Sequence, residues 1–184
     1  MKANNNFRLV SLLFLLLQGI NLEAQEVYET DNGIIHISMV KGEEVITAIS
    51  KNLMVIINYD DASFKLRLDK STLETGVDSI DKVLGKKIYD NIEFEGKLGI
   101  EQVKTEKHPP QDFDVNGYIT CSPHHVAVIG KGHLEHIFGE FYSCILNMTF
   151  YINPKEFDLE KTFGRDLTGD LKVEIIQSVL KRRE

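Results

Sequence analysis

In the stretch Ala62-Ser-Phe-Lys-Leu-Arg-Leu-Asp69 the side chains alternate strictly, with Phe64, Leu66 and Leu68 on one face and Ser63, Lys65, Arg67 and Asp69 on the other. A period of two marks a half-buried antiparallel strand, because successive Cβ atoms leave opposite faces of a pleated chain. The pattern recurs over residues 35–39, 94–100, 115–121 and 173–179. Its longest single face runs through Tyr142, Cys144, Leu146, Met148, Phe150 and Ile152. Residues 41–50 and 53–59 read as two more strands, with turns at Ser50-Lys-Asn52 and Tyr59-Asp-Asp61. Further turn chemistry stands at Asp31-Asn-Gly33, Lys41-Gly42, His108-Pro-Pro110 and Asn153-Pro154.

Helical spacing is confined to the middle of the chain. Residues 78–90 place Ile80, Val83, Leu84 and Ile88 at helical intervals, with Asp78 or Ser79 as the N-cap. A second short helix is expected over residues 165–169. No internal repeat or inter-domain linker interrupts the rest. These elements describe one all-β domain: a single antiparallel eight-stranded barrel with one short helical insertion. So many short strands have to close or sandwich to protect their edges, and a barrel of about eight strands is either filled by its own side chains or holds one small ligand. The inward set is Phe, Leu, Ile and Met, so an occupant would have to be apolar. A solid core would show the same stripes.

The first residues follow a different logic. Lys2 and Arg8 precede the apolar run Leu9-Val-Ser-Leu-Leu-Phe-Leu-Leu-Leu17, and Leu22-Glu-Ala-Gln25 offers a small-residue cleavage site. That is the outline of a secretory signal peptide; the run is shorter than the roughly 20 residues a membrane span needs. The expected division is a removed leader over 1–25 and a barrel domain over 26–184, with residence in the periplasm or outside the cell. The mature chain then has no integral membrane segment.

Charge narrows the partners. The chain carries 21 Lys and Arg against 28 Asp and Glu, a formal net charge of −7, and loss of the leader makes it more acidic still. Such a surface repels nucleic acid, and Lys181-Arg-Arg183 reads as a solvated chain end rather than a phosphate track. The cysteines, Cys121 and Cys144, leave open either one disulfide or two buried thiols, since spacing in sequence does not measure the required Cα separation. Homodimerisation also stays open.

The order of segments resembles the YceI-like family of exported polyisoprenoid-binding proteins. The start Val27-Tyr-Glu-Thr-Asp-Asn-Gly-Ile-Ile-His-Ile-Ser38 is followed by meander strands, then a helix running into Lys87-Ile-Tyr-Asp-Asn-Ile-Glu-Phe-Glu-Gly-Lys-Leu98. Tyr89, Phe94 and Gly96 match the family's helix-to-strand segment, with Asp90 where a proline is usual. Gly117-Tyr-Ile-Thr-Cys121 is similar to the first half of a family segment, whereas Ser122-Pro-His-His125 departs from its His-Gly-Val-Thr half. Lys131-Gly-His-Leu-Glu135 and the stretch from Phe157 to Ile175 resemble the return strand and the closing segment. The resemblance implies a lipocalin-like barrel whose interior holds an isoprenoid lipid.

Three function classes can be weighed on these residues. His124, His125, His133 and His136 lie in one hairpin, but adjacent strand residues point to opposite faces, and positions three apart do not share one. The histidine pair therefore reads as a hairpin turn set by Ser122-Pro123, and not as a metal centre. Cys121 with His124 or His125 is the one compact catalytic candidate, yet Cys121 lies on the apolar parity of its strand, where a small buried thiol is the usual occupant. No nucleophile elbow or phosphate-cradling glycine loop occurs, and Glu43-Glu44 and Asp60-Asp61 read as turn and edge residues. The chain is thus expected to be a non-enzymatic binding protein without cofactor, its partner a long-chain apolar lipid of isoprenoid type. The lining is assigned to Phe64, Leu66, Leu68, Phe94, Leu98, Ile100, Leu146, Met148 and Phe150. The alternative is a filled barrel that serves protein interaction or stress defence without a ligand.

Overall fold

The computed structural model describes residues 26–85, 91–104, 109–137, 143–164 and 166–183. Among them eight strands form one closed antiparallel barrel in sequence order. They are β1 (Val27–Lys41), β2 (Glu44–Asn58), β3 (Ser63–Leu68), β4 (Ile92–Leu98), β5 (Gln111–Cys121), β6 (His124–Ile137), β7 (Ser143–Ile152) and β8 (Leu167–Arg182). Strand β8 pairs back onto β1, so every strand has two neighbours and no edge is left open. The expected leader over 1–25 lies outside the described residues, as do Tyr89, Asp90, His108, Tyr142 and Arg165.

The alternation does in three dimensions what it suggests in sequence. Leu53, Val55, Ile57, Phe64, Leu66, Leu68, Phe94, Leu98, Val115, Leu146, Met148 and Ile175 are all buried in one continuous interior. Between them Lys65, Arg67, Glu93 and Glu95 form an ion-paired outer face across β3 and β4.

Several local expectations are corrected. Ser50-Lys-Asn52 is not a turn; β2 runs unbroken from Glu44 to Asn58. Asp31-Asn-Gly33 is not a turn either, but lies within β1. Two irregularities explain both. Ile35 pairs with Ser50 and Gly33 with Leu53, so β2 carries an extra residue there; Thr30 pairs with Val55, so β1 carries one next to it. Such opposed bulges bend and twist a long hairpin while restoring its register, and polar residues placed at a bulge mimic turn chemistry in sequence.

The helix α1 (Asp78–Leu84) begins where the periodicity puts it but ends at its C-cap Gly85, the expected continuation over 86–90 lying outside the described residues, and its N-cap is Val77, which makes no side-chain cap. Asp81 Oδ1 instead accepts hydrogen bonds from the Thr75 N–H and hydroxyl, fixing the chain's entry into the helix. The helix expected over 165–169 is absent from the described residues there. A 3-10 turn at Pro154–Phe157, capped by the Asn153 side chain, and the helix α2 (Leu159–Phe163) precede it, and β8 has begun by Leu167.

These connections close one end of the barrel, the end where the β1–β2 and β5–β6 hairpins turn. Leu73 and Ile80 are buried there, and Leu84, Phe157, Leu159 and Phe163 pack against the core. The opposite end is built by the starts of β1 and β5, the Tyr59–Asp61 turn, residues 99–104 and the end of β8.

Candidate functional site: the barrel interior

Eight of the nine side chains expected to line the interior lie on inner strand faces, and the ninth, Ile100, lies beyond the strands. Phe64, Leu66, Leu68, Phe94, Leu98, Leu146, Met148 and Phe150 are buried, and Ile100, just past the end of β4, is half-buried against the same cluster. Their distribution is uneven. Phe64, Phe94 and Phe150 form a chain of ring contacts, with centroids 4.8 Å apart for the first pair and 4.9 Å for the second.

Phe94 belongs to β4 and Phe150 to β7, so β5 and β6 lie between them on the wall. Both intervening strands carry glycine at inward positions. A methyl group built on Gly117 would stand 2.7 Å from Phe94 Cε2, and one built on Gly130 would stand 2.8 Å from Phe150 Cβ. The Phe94 ring occupies the space a side chain at Gly117 would take, whereas at Gly130 the Thr149 carbonyl oxygen and Phe150 Cβ crowd the position; the Phe94 and Phe150 rings meet as a chord across that sector of the wall. Sequence reading found the rings from their parity but missed the glycines; their signal was their phase, since Gly117 alternates with Val115 and Ile119, and Gly130 with Val128.

The end opposite the helical closure has a second character. Tyr59, at the end of β2, is 1% exposed, and its ring stacks on Tyr28 with centroids 4.0 Å apart. Its hydroxyl lies 3.2 Å from His136 Nε2. Burial, reinforced by Cys144 beside it, raises the Tyr59 pKa far above the ordinary phenol value. Burial also pushes the Cys144 thiol up to about 12, against a smaller opposing effect of its hydrogen bond with Tyr59. Both groups stay protonated at neutral pH, so Cys144 is not a nucleophile there.

The histidine-bearing hairpin resolves into separate contacts. Ser122-Pro123 forms its turn, and Cys121 pairs in register with His124. His124 lies near the Phe157 ring, and His125 stacks on Tyr118 and hydrogen-bonds the Thr120 hydroxyl. His133 faces outward to Asp112 at 2.7 Å, whereas His136 faces inward to Tyr59. Among the described residues no group of three or more His, Cys, Asp and Glu side chains converges as metal ligands would.

The cysteine alternatives are also settled among these contacts: both residues remain thiols. Cys121 pairs with His124 and Cys144 with His136, twelve residues further along β6. At about 3.3 Å per residue that is about 40 Å of strand, far beyond the reach of a disulfide.

On the outer wall, Ile56, Asn58, Ser63, Lys65 and Glu95 border a shallow groove of about 280 Å³ that reaches the edges of Phe64 and Gly96. It is open and charged at its rim, unlike the interior. No helix among the described residues is long and apolar enough to cross a membrane.

Neither a protein-family model nor a curated protein matches the chain. Solved structures do. A polyisoprenoid-binding domain from Saccharophagus degradans, implicated in plant cell wall breakdown, superposes with a TM-score of 0.66 at 9% identity, over 87% of this chain and 99% of that one. BcnA from Burkholderia cenocepacia superposes with a TM-score of 0.60 at 10% identity, over 81% of this chain and 95% of that one. At such identities the likeness is one of fold, and it spans the whole barrel.

Proposed function

We propose that this chain is a divergent YceI-like protein that carries a long-chain apolar lipid of isoprenoid type inside its barrel and performs no chemistry on it. One observation carries the reading: the inner faces of the strands are predominantly apolar in a barrel whose fold matches that of a polyisoprenoid-binding domain over nearly all of that domain. Removing an apolar chain from water supplies roughly 25 cal/mol per Å², so no single side chain is indispensable. Phe64, Leu66, Leu68, Phe94, Leu98, Ile100, Leu146, Met148 and Phe150 are proposed as the lining.

Export belongs to the same proposal. The leader-like start and the acidic remainder support a protein that works in the periplasm or outside the cell. Cell fractionation together with the intact mass tests this; a cytoplasmic protein that retains residues 1–25 overturns it.

A second reading has its own support. The Phe94–Phe150 chord narrows the interior, as expected of a filled barrel that acts through its outer surface. Native mass spectrometry followed by organic extraction separates the two. A bound mass that extracts as an isoprenoid supports the carrier. A protein that flies at its bare mass and, once delipidated, takes up no polyisoprenoid overturns the carrier and leaves the filled barrel.

A further inference from the structure

The interior is not uniformly apolar, and two of its buried polar atoms lie towards one end of the barrel without a hydrogen-bond partner among the described residues. Ser178 on β8 is 2% exposed, and its hydroxyl has no hydrogen-bond partner among the described residues. The same holds for Gln111 Oε1, a buried atom at the start of β5. Leaving such groups unsatisfied costs about 1–3 kcal/mol each, so each calls for an explanation.

Register relates them. Gln111 pairs with Leu134, Leu134 with Leu146, and Leu146 with Ser178, so both orphaned groups lie on one row of the inner wall. Next to that row, towards the barrel end, His136 pairs with Cys144. Gln111 and Ser178 thus stand diagonal to His136 and Cys144, each one strand over and two residues along, a separation of about 8 Å between backbones. Tyr59 reaches the same place from β2, with its hydroxyl against His136.

A kink brings Ser178 there. Gln177 takes a left-handed φ of 43°, and its N–H donates to Asn147 Oδ1. The alternation of β8 slips at that point, so Ser178 and Leu180 turn inward and Val179 outward. The Ser178 hydroxyl then lies over Gly33, where a methyl group on that glycine would come within 2.9 Å of it.

We propose that this polar wall, made by Gln111, Ser178, Tyr59 and His136, seats the polar end of the ligand, and that this end is an uncharged hydroxyl. The inference rests on the carrier reading and names its ligand class: long-chain isoprenoid alcohols. A hydroxyl both donates and accepts, so it serves a buried amide oxygen and a buried serine alike. A phosphate in the same place would have to shed its water against a wall whose most deeply buried polar groups are the neutral Ser178 and Tyr59 hydroxyls, and desolvating an ion is far more costly than desolvating a hydroxyl.

The test compares three probes of equal chain length by native mass spectrometry: a polyprenol, its monophosphate, and the hydrocarbon that lacks the hydroxyl. The polyprenol is expected to bind the full mature protein about tenfold more tightly than the hydrocarbon, the effect of one or two good hydrogen bonds, and more tightly than the monophosphate. Ser178→Ala and Gln111→Leu are each expected to narrow the polyprenol-to-hydrocarbon ratio several-fold while the melting temperature holds or rises. A purely structural serine would lower stability and leave that ratio unchanged. Equal binding of polyprenol and hydrocarbon, or tighter binding of the monophosphate, overturns the polar seat and leaves the carrier standing. Binding of none of the three overturns both.

Discussion

Phe94 and Phe150, on strands separated by two others around the barrel wall, meet with ring centroids 4.9 Å apart and planes inclined by 57°. Gly117 leaves room beside one of the two rings, since a methyl group there would stand 2.7 Å from Phe94 Cε2. The width of the interior here depends on the rings and on the glycine beside them, so truncating a ring and adding a methyl group at Gly117 change the packed volume in opposite directions.

Truncation of a ring removes packed volume. Phe150→Ala is expected to lower the unfolding free energy of the delipidated protein by about 3–5 kcal/mol, as for other large-to-small core changes. Chemical denaturation reads this directly. Lys65→Ala, which removes exposed ion pairs with Glu93 and Glu95, is the comparison: such pairs contribute about 0–1 kcal/mol. Equal effects of the two substitutions would show that the Phe150 ring is not packed.

Addition of a methyl group is also costly. In Gly117→Ala the new methyl meets the Glu95 carbonyl oxygen and the Phe94 ring, and overpacking of this kind costs about 1–3 kcal/mol. Pairing it with Phe94→Leu should recover only part of the loss, since the backbone oxygen stays in place. A double-mutant cycle measures that coupling; strict additivity would mean that ring and glycine do not touch.

How far the sequence foretold this arrangement depends on which force set each feature. Phe64, Leu66 and Leu68 were legible because burial of one face alone imposes period two. The bulges at residues 31–32 and 51–52 read as turns because the exposed Asp31, Asn32, Lys51 and Asn52 carry the same residue types that turns use; only pairing across the hairpin distinguishes the two. Val179 was expected on the buried parity and is exposed, since the Gln177 kink resets the phase of β8. The polar wall was illegible for the same reason. Gln111, His136 and Ser178 are far apart in sequence and are brought to one end of the inner wall by strand register, which a single sequence does not state.

The two thiols should behave oppositely. Cys144 is 0% exposed, whereas Cys121 is half-buried beside the hairpin turn. A maleimide is expected to modify Cys121 in the folded protein and Cys144 only after denaturation, and the intact mass without reductant should correspond to two thiols. A mass lower by two hydrogens would mean that the strands carrying them are not placed as found here.

Alkaline pH should weaken the fold through the cluster at Tyr59. The Cys144 pKa rises on folding from an ordinary 9.0 to about 12, so the folded state holds its proton over a range in which the unfolded chain gives it up. Stability from this group is complete below about pH 9 and declines as pH rises towards 12. While only the unfolded state ionises, the slope is about 1.4 kcal/mol per pH unit. Tyr59, raised from 10.0 by its own burial, adds to the decline above pH 10. Urea midpoints measured from neutral pH upward should therefore fall more steeply for the wild type than for Cys144→Ala. The variant starts lower because it loses packing, but its curve should stay flat for longer and steepen only as Tyr59 begins to contribute. Parallel curves for the two proteins would show that Cys144 is solvated in the folded state, and that the barrel end around Tyr59 and His136 is open to water.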